Sequence, residues 1–209
     1  MAPASYDLSF YHRTDSLLET FTRLADPSRC AHRLTVDNIH DQEDPSFQLR
    51  VATFADAKKS QNPRTGPRVL INFGAHGREL ITSEVALRLG QILCGEADSI
   101  FAGDSIRSRN AITHILRQAT IKLIPVQVPS SRHLAEVGGG NCRQRQLTKQ
   151  GVDVNRNWNI SWTAGDGGGE HSNHYRGPRP FSEPETRSLA NFAQSWRPDV
   201  FVDVRSGDR

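Results

Sequence analysis

Short apolar strand patterns alternate with amphipathic helix patterns along this chain, and that alternation limits the fold more than any other feature. Residues 33–39 and 47–54 have the composition of strands, and further strands are predicted at 68–73, 120–128 and 199–204. Strands that alternate with helices favour parallel pairing through helical crossovers. The sequence therefore predicts a single α/β domain with three layers, in which a twisted, mixed, mostly parallel sheet carries helices on both faces.

Three amphipathic segments are predicted to supply helices, at residues 15–25, 79–93 and 182–196. Ser182 and Glu185 have the spacing of a capping box at the start of the third helix. The apolar residues expected to face the sheet are Leu17, Leu18, Phe21 and Leu24 in the first helix, Ile81, Val85, Leu89 and Ile92 in the second, and Leu189, Phe192, Ala193 and Trp196 in the third.

The size and charge of the chain exclude several kinds of function. With 209 residues it is one domain or a large part of one, and a net charge of +3 does not mark a nucleic-acid binder. No apolar run is long enough for a membrane span, and the N-terminus lacks the pattern of a secretory leader, so a cytoplasmic monomer is the default expectation. The chain stops five residues after Val204, directly behind a predicted strand, so the C-terminal portion of the domain is expected to be missing.

Cys30, Cys94 and Cys142 are odd in number and scattered, and no two of them form a Cys-x-x-Cys pair. This pattern predicts neither a disulfide framework nor a thiolate zinc site. All three are expected to be reduced, structural or incidental thiols.

The stretch "GAHGREL" follows the strand at 68–73 and places His76 and Glu79 three residues apart at the start of a helix. Such a pair can supply two metal ligands from one side of a helical turn. The alternative is a capped helix start with a loop histidine. His40 with Glu43 and His133 with Glu136 repeat the spacing, but the first pair lies in the polar turn "HDQEDP" and the second follows "VPSS" without a strand directly before it. A solvated loop or helix face is therefore the expectation for both.

The stretch "GVDVNRNW" places Asn155 and Arg156 after the short strand-like segment "GVDV", which contains Asp153. Arginine can grip a carboxylate with two parallel hydrogen bonds, and a neighbouring amide can add a third. Asp153 fits the role of an acceptor that orients a metal-bound imidazole. A surface turn capped by asparagines remains the alternative.

Three weaker candidates are more simply interpreted as surface loops. Residues 166–174 bring Glu170, His171 and His174 together, and residues 136–145 superficially suggest a phosphate loop. A basic patch without interleaved aromatic residues gives little support for nucleic-acid binding. That patch consists of Arg143, Arg145 and Lys149.

Taken in this order, "GAHGREL", "GVDVNRNW" and "GPRPFSEPET" resemble zinc metallocarboxypeptidases of the carboxypeptidase A/B type, over residues 1–209. The resemblance implies one zinc ion, with His76 and Glu79 as the first two of its ligands. It also implies that peptide or protein C-termini are the partners. The substrate-contacting residues that it implies are Arg78 in the substrate groove, Asn155 and Arg156 on the terminal carboxylate, and Arg145 on the scissile carbonyl, with Arg143 as a competing choice.

Arg205 breaks this pattern, because the family has its third zinc ligand, a histidine followed by serine, where this chain has Arg205 and Ser206. A guanidinium has no lone pair for a metal. At ~5 Å and an effective dielectric of ~20, a dication and a guanidinium repel by about 6 to 7 kcal/mol. The general-base glutamate and the capping tyrosine of the family would lie beyond Arg205.

The resemblance therefore implies a zinc carboxypeptidase that hydrolyses the C-terminal peptide bond, with this chain impaired by Arg205. The alternatives are a non-catalytic domain that binds peptide C-termini and a related zinc amidase.

Overall fold

A five-stranded mixed sheet forms the centre of the computed structural model, which describes residues 10–30, 33–56, 66–96, 105–160, 162 and 168–207. The strand order is β1-β2-β4-β3-β5. The strands are β1 (Leu34–His40), β2 (Gln48–Phe54), β3 (Arg68–Asn72), β4 (Thr120–Ile124) and β5 (Val200–Asp203).

The directions of the strands bring the carboxyl ends of β3, β4 and β5 to one edge of the sheet. β3 pairs in parallel with both β4 and β5, and β2 pairs antiparallel with both β1 and β4. All the described strands except β2 therefore run in the same direction. At the carboxyl end of β3, Asn72 lies opposite Ile124 on one side and Asp203 on the other.

Helices cover both faces of this sheet, as the sequence predicts. Leu17 and Phe21 on one helix and Leu116 on another pack in the core on one face, while Leu189 packs on the opposite face against Leu49 and other strand residues. The helices are α1 (Thr14–Leu24), α2 (Pro27–Cys30), α3 (Leu80–Leu93), α4 (Ser105–Gln118), α5 (Pro129–Glu136) and α6 (Pro184–Trp196). The three-layer α/β prediction is confirmed.

Two differences from the predicted elements lie around β4. Helix α4 is not among the elements predicted from the sequence, because its polar residues hide a thin apolar side that includes Ile112 and Leu116. The strand predicted at 120–128 ends at Ile124, since Pro125 has no N–H to continue the ladder. The chain instead turns towards α5.

The apolar stripe predicted for α3 is confirmed in its second half and wrong in its first half. Leu89 and Ile92 pack against the core, but Ile81 and Val85 are exposed. The buried side of the helix includes Leu87 and Gly90. A Cβ at Gly90 would lie 2.8 Å from a ring carbon of Phe21, so the close packing of α1 against α3 favours a residue without a side chain at this position.

The capping box predicted for α6 is also wrong. The residue before the first turn is Glu183, Pro184 occupies the first turn, and no side chain caps the helix N-terminus. Ser182 donates its hydroxyl to Glu183 instead, at 2.9 Å. Glu185 is buried in the fold, so the Ser182 and Glu185 spacing does not mark a capping box here.

Cys30 and Cys94 form a disulfide, which contradicts the prediction of three reduced thiols. The bond joins the end of α2 to the residue after α3 across 64 positions of sequence. Spacing could not reveal it, because the two cysteines meet only once the helices pack on the sheet. Cys142 is free and exposed.

Strand β5 lies at an edge of the described sheet and exposes apolar side chains. Val200 is 47% exposed and Phe201 is 46% exposed. Within the described ranges, no helix has the length and apolarity that crossing a bilayer would require.

Candidate functional site

The loop after β3 turns sharply and buries its histidine and glutamate. Gly74 has φ +64°, and a Cβ at Gly77 would lie 2.1 Å from the backbone nitrogen of Arg132 at the start of α5. Only glycine fits these two positions without a shift of the backbone. The resulting turn leaves His76 and Glu79 only 5% and 4% exposed, just before α3 begins.

Carboxylates face both ring nitrogens of His76. Nδ1 lies 2.9 Å from Glu79 Oε1, and Nε2 lies 3.2 Å from Asp153 Oδ1. Burial lowers the pKa of His76, but the hydrogen bonds to Asp153 and Glu79 outweigh it, so the pKa of the ring is raised. Asn155 Nδ2 lies 3.1 Å from Nε2.

Asp153 is fixed from two sides. The backbone N–H of Asn155 donates to Asp153 Oδ1 at 2.9 Å, on the oxygen that also faces His76. Burial raises the pKa of Asp153, but the hydrogen bond and charge of His76 outweigh it, so the pKa lies below its usual range. The predicted role of Asp153, holding the His76 ring in one orientation, agrees with this arrangement.

Arg205 reaches the same ring from the end of β5. Its Nη2 lies 3.2 Å from His76 Nδ1 and 3.3 Å from Nε2. A nitrogen almost equidistant from both ring nitrogens is not in line with either lone pair, and the C–H between them blocks an in-plane approach. The guanidinium therefore lies against the face of the ring. We call His76, Glu79, Asp153 and Arg205 the His76 cluster.

The guanidinium of Arg205 is also close to two acidic side chains. Its Nε lies 3.9 Å from Glu79 Oε2 and 3.6 Å from Asp203 Oδ2. Nη1 is buried and has no hydrogen-bond partner among the described residues. Burial is the main reason why the pKa of Asp203 is raised.

The donor set fits a zinc ion at two positions and not at the third. His76 Nδ1 and Glu79 Oε1 converge as two ligands of one ion would, but a guanidinium occupies the space beside them. Within the described ranges, no group of three or more His, Cys, Asp or Glu side chains is arranged to hold a metal ion. The residues present therefore do not fit the zinc site that the resemblance implies.

The predicted substrate residues Arg78 and Arg156 are exposed, and Asn155 is half-buried beside the His76 cluster. The charge of Arg156 contributes to the lowered pKa of Asp153, which places this guanidinium close to the buried site. The structure thus brings Asn155 and Arg156 to the opening of the His76 cluster.

The guanidinium groups of Arg145 and Arg143 are bound to backbone carbonyls. Arg145 donates to the carbonyls of Gly139 at 2.8 Å and Gly138 at 2.7 Å. Arg143 donates to the carbonyls of Ser172 and Gly151, at 3.2 Å and 3.0 Å. In the described part of the chain, neither guanidinium hydrogen-bonds to the His76 cluster, so the role predicted for Arg145 stays a prediction.

The weaker histidine candidates serve other contacts. His40 faces the carbonyl of Pro45. Glu136 accepts a hydrogen bond from the Thr14 hydroxyl and pairs with the buried Arg132, while Nδ1 of His133 lies 4.0 Å from Glu136 Oε2. His174 Nδ1 lies 3.8 Å from Asp153 Oδ2, at the rim of the His76 cluster. Residues 166 and 167 of the glycine-rich candidate segment lie outside the described residues.

Asn157 and Asn72 are polar residues of the site region that sequence reasoning missed. Asn157 Nδ2 donates to the carbonyls of Arg176 and Arg179, which fixes the loop before α6. Asn72 Nδ2 donates to Gln127 Oε1 at 2.7 Å and to Asp203 Oδ1 at 2.9 Å. The available signal for Asn72 was a polar residue at the end of an otherwise apolar strand.

The fold is a mixed α/β sheet, and its candidate site has a His-x-x-Glu pair at the end of a central strand with an Asp-x-Asn-Arg loop beside that pair. These features together define a domain of the metallocarboxypeptidase class. A family model described as zinc carboxypeptidase matches residues 43–209. The chain therefore belongs to the zinc carboxypeptidase family, a family of metal-dependent hydrolases that act on proteins and peptides.

Two curated relatives show how much of a longer protein the chain resembles. Carboxypeptidase A4 of Mus musculus is 26% identical over 206 residues, which are 95% of this chain and 43% of the mouse protein. A Talaromyces stipitatus protein named inactive metallocarboxypeptidase ecm14 is 29% identical over 186 residues, or 83% of this chain and 28% of that protein. The chain thus spans less than half the length of these relatives.

Solved structures support the fold. The crystal structure of thrombin activatable fibrinolysis inhibitor matches with a TM-score of 0.71 at 18% identity, over 95% of this chain and 48% of that chain. Carboxypeptidase A from Helicoverpa armigera matches with a TM-score of 0.68 at 16% identity, over 95% of this chain and 46% of that chain. At these identities the likeness concerns the fold alone.

Proposed function

We propose that this chain is a carboxypeptidase-fold domain that binds the free C-terminus of peptides or proteins and, with Arg205 in place, does not hydrolyse them through zinc. The observation that carries this proposal is the guanidinium of Arg205, 3.2 Å from His76 Nδ1. His76 is one of the two residues that the family resemblance assigns to the metal. A protonated guanidinium there cannot replace a histidine as a ligand and repels a divalent cation.

Residues at the opening of the site support recognition of a carboxylate. Arg156 is exposed and Asn155 is half-buried at the His76 cluster, so both can present N–H donors to a ligand. A guanidinium and an adjacent amide together match the acceptors of a terminal carboxylate. One relative whose name calls it inactive shows that the family includes members described as lacking activity.

C-terminal peptide hydrolysis is the second candidate function, with hydrolysis of a related amide as its variant. The closeness of His76 Nδ1 and Glu79 Oε1, at 2.9 Å, supports it, since these are the two residues that the family resemblance assigns to zinc. The arrangement of Asp153 behind the ring supports it as well. This candidate requires histidine at position 205.

Calorimetry in the presence of a chelator tests the proposed function. A peptide with a free C-terminus should bind, and its amidated form should bind at least about tenfold more weakly, a difference of about 1.4 kcal/mol. Arg156→Gln should remove that difference. Arg23→Gln, an exposed arginine on α1, is the matched control and should keep it.

Two outcomes would overturn the proposal. Equal affinity for the acid and the amide would show that the carboxylate is not recognised. Release of terminal amino acids by the chain with Arg205 intact, dependent on added zinc, would instead support the second candidate.

A further inference from the structure

We propose that the guanidinium of Arg205, positioned by Asp203, supplies beside Glu79 the positive charge that a metal ion would supply, so that the site keeps its structure without a divalent ion. The proposal rests on the proposed function, since it explains how the His76 cluster is held together without zinc. It assigns a positioning role to Asp203 and Asn72, for which the sequence predicted none.

The carboxylates of the site need a nearby positive charge. Glu79 and Asp153 are almost fully buried, and a buried carboxylate without a counter-charge is strongly unfavourable. His76 bridges the two carboxylates, and Arg205 supplies a permanent charge beside Glu79. The backbone N–H of Ser206 also points at Glu79 Oε2, at 3.4 Å.

Asp203 fixes the guanidinium from the other side. Asp203 precedes Arg205 by two residues at the end of β5, a spacing that places both side chains on the same face of an extended chain. Asp203 Oδ2 lies 3.6 Å from Arg205 Nε. The contact directs the guanidinium towards His76 rather than towards solvent.

A buried amide holds Asp203 in turn. Asn72 lies opposite Asp203 in the pairing of β3 and β5 and donates to Asp203 Oδ1 at 2.9 Å. The same amide donates to Gln127 Oε1 at 2.7 Å, which ties it to the segment after β4. The position of Arg205 is therefore set by the carboxyl ends of three neighbouring strands.

One donor of this arrangement stays free for a ligand. Arg205 Nη1 is buried without a hydrogen-bond partner among the described residues, and such a group is costly unless something binds it. An oxygen of a bound peptide C-terminus is the acceptor that the proposed function supplies. The guanidinium of Arg205 would thus donate a hydrogen bond to the peptide oxygen at the place where a metal ion would coordinate it.

Thermal unfolding with zinc and with chelator tests this role without any peptide. The unchanged chain should have the same Tm in both conditions. Arg205→His should have a lower Tm in chelator and gain roughly 5 °C or more with excess zinc. Arg205→Met and Asp203→Asn should each lower Tm in both conditions, because each leaves a charged or polar partner unpaired.

The chain contains a matched control pair at the opposite ends of the same two strands. Arg68 Nε lies 3.5 Å from Asp199 Oδ2, and the side chain of Arg68 is as exposed as that of Arg205, at 25% and 26%. The partner Asp199 is itself 52% exposed, whereas Arg205 also lies beside the almost fully buried Glu79. Arg68→Met should therefore lower Tm by clearly less than Arg205→Met does. Equal effects of the two variants, or a zinc-dependent Tm in the unchanged chain, would overturn the proposal.

The two proposals can fail separately. If peptides with a free C-terminus do not bind but the Tm values of the variants follow the expected pattern, only the proposed function is contradicted. If Arg205→His does not fold, the comparison of Arg205→Met and Asp203→Asn with Arg68→Met still decides the structural role.

The disulfide carries a second, independent inference. We infer that the chain acquires the Cys30–Cys94 bond in an oxidising compartment, because a bond of this kind rarely persists where glutathione keeps thiols reduced. Both cysteines are buried in the core that α1 and α3 form against the sheet. Such a buried bond is shielded from reductants once the fold has formed.

Thiol labelling of protein from its own cells tests this inference. With alkylation at lysis and denaturation without reductant, peptide mapping should find Cys142 labelled and Cys30 and Cys94 unlabelled, and all three should be labelled after reduction. Cys142→Ser should leave Cys30 and Cys94 unlabelled before reduction and labelled after it. Labelling of Cys30 and Cys94 in the unreduced natural protein would overturn the inference.

Discussion

Two buried ion clusters at different ends of the molecule show how a structural site differs from a functional one. In the cluster formed by Asp41, Arg187 and Ser188, Arg187 Nε donates to Asp41 Oδ2 at 3.0 Å and the Ser188 hydroxyl donates to the same oxygen at 3.1 Å. Burial raises the pKa of Asp41, but the hydrogen bonds and charge of Arg187 outweigh it, so this pKa is lowered. Nη1 of Arg187 donates hydrogen bonds to the carbonyls of Phe181 and Ser182.

Among the members of the two clusters, only Arg205 Nη1 of the His76 cluster lacks a hydrogen-bond partner among the described residues. Buried unpaired atoms lie close to both clusters, namely Asn72 Oδ1 near the His76 cluster and Glu185 Oε2 and Thr186 Oγ1 near the Asp41 cluster. Unpaired polar atoms of this kind are expected where a protein binds something, and they are rare where it only holds itself together. The comparison assigns stability to the Asp41 cluster and recognition to the His76 cluster.

Removing Asp41 should produce the largest loss of stability. Asp41→Ala leaves the buried guanidinium of Arg187 without its carboxylate, which should lower the free energy of unfolding by about 3–5 kcal/mol. Urea unfolding at neutral pH measures this loss. Glu19→Ala, an exposed change on α1, is the control. A loss as small as that of the control would contradict the structural role of the cluster.

Glu185 lies in α6 close to Arg187 and should make stability depend on pH. Burial raises its pKa from 4.5 to about 7. Because this pKa is raised in the folded state, the proton stabilises the fold below pH 4.5, and that stability is lost as pH rises to about 7. Between these two pH values, the expected decrease in the free energy of unfolding is about 3 kcal/mol.

Urea unfolding between pH 5 and 8 tests this dependence. Glu185→Gln cannot ionise, so it should lack this decline and should be more stable than the unchanged chain at pH 8. The exposed Glu19→Gln serves as the control and should follow the unchanged chain. Parallel curves for Glu185→Gln and the unchanged chain would show that Glu185 is not the titrating group.

Asp153→Asn should have an intermediate effect within the His76 cluster. It removes one of the two carboxylates that face the ring, and we expect a loss of about 1–3 kcal/mol in the free energy of unfolding. Asp199→Asn, at the surface end of β5, provides the comparison in the same urea experiment. An effect of Asp153→Asn larger than that of Asp41→Ala would reverse the assignment of stability and recognition.

Ser188→Ala should have the smallest effect. The hydroxyl donates one hydrogen bond to the ionised Asp41, which keeps its contacts with Arg187, so the loss should be about 1.5 kcal/mol, at the lower end of the range for hydrogen bonds to charged groups. A loss equal to that of Asp41→Ala would mean that the serine, rather than the ion pair, stabilises the cluster.

Local patterns in the sequence predicted the sheet and the amphipathic helices, because Leu17, Phe21 and Leu189 mark buried faces by periodicity alone. Only the second half of the predicted stripe of α3 is confirmed, with Leu89 and Ile92 against the core, since the packing of α1 against α3 decides which side of the first turns is buried. The disulfide escaped prediction for a similar reason. It depends on how separate helices meet.

The same limit applies to the candidate site. His76 stands out by its position after a strand and Asp153 by its place in the Asp-x-Asn-Arg stretch, and the structure brings them within 3.2 Å. The segment 151–154, which looks strand-like in the sequence, forms no strand. The contact of Asn72 with Asp203 depends on the register between β3 and β5, which short sequence patterns do not specify. The departure at Arg205 was visible in the sequence, but its position against the His76 ring was not.

Zinc content per chain tests the central claim most directly. The unchanged chain and Arg205→His are each saturated with zinc, passed through gel filtration and measured by mass spectrometry of the metal. The account predicts that the unchanged chain retains no zinc and that Arg205→His retains one ion per chain. One tightly held ion per unchanged chain, with Arg205 intact, would contradict it.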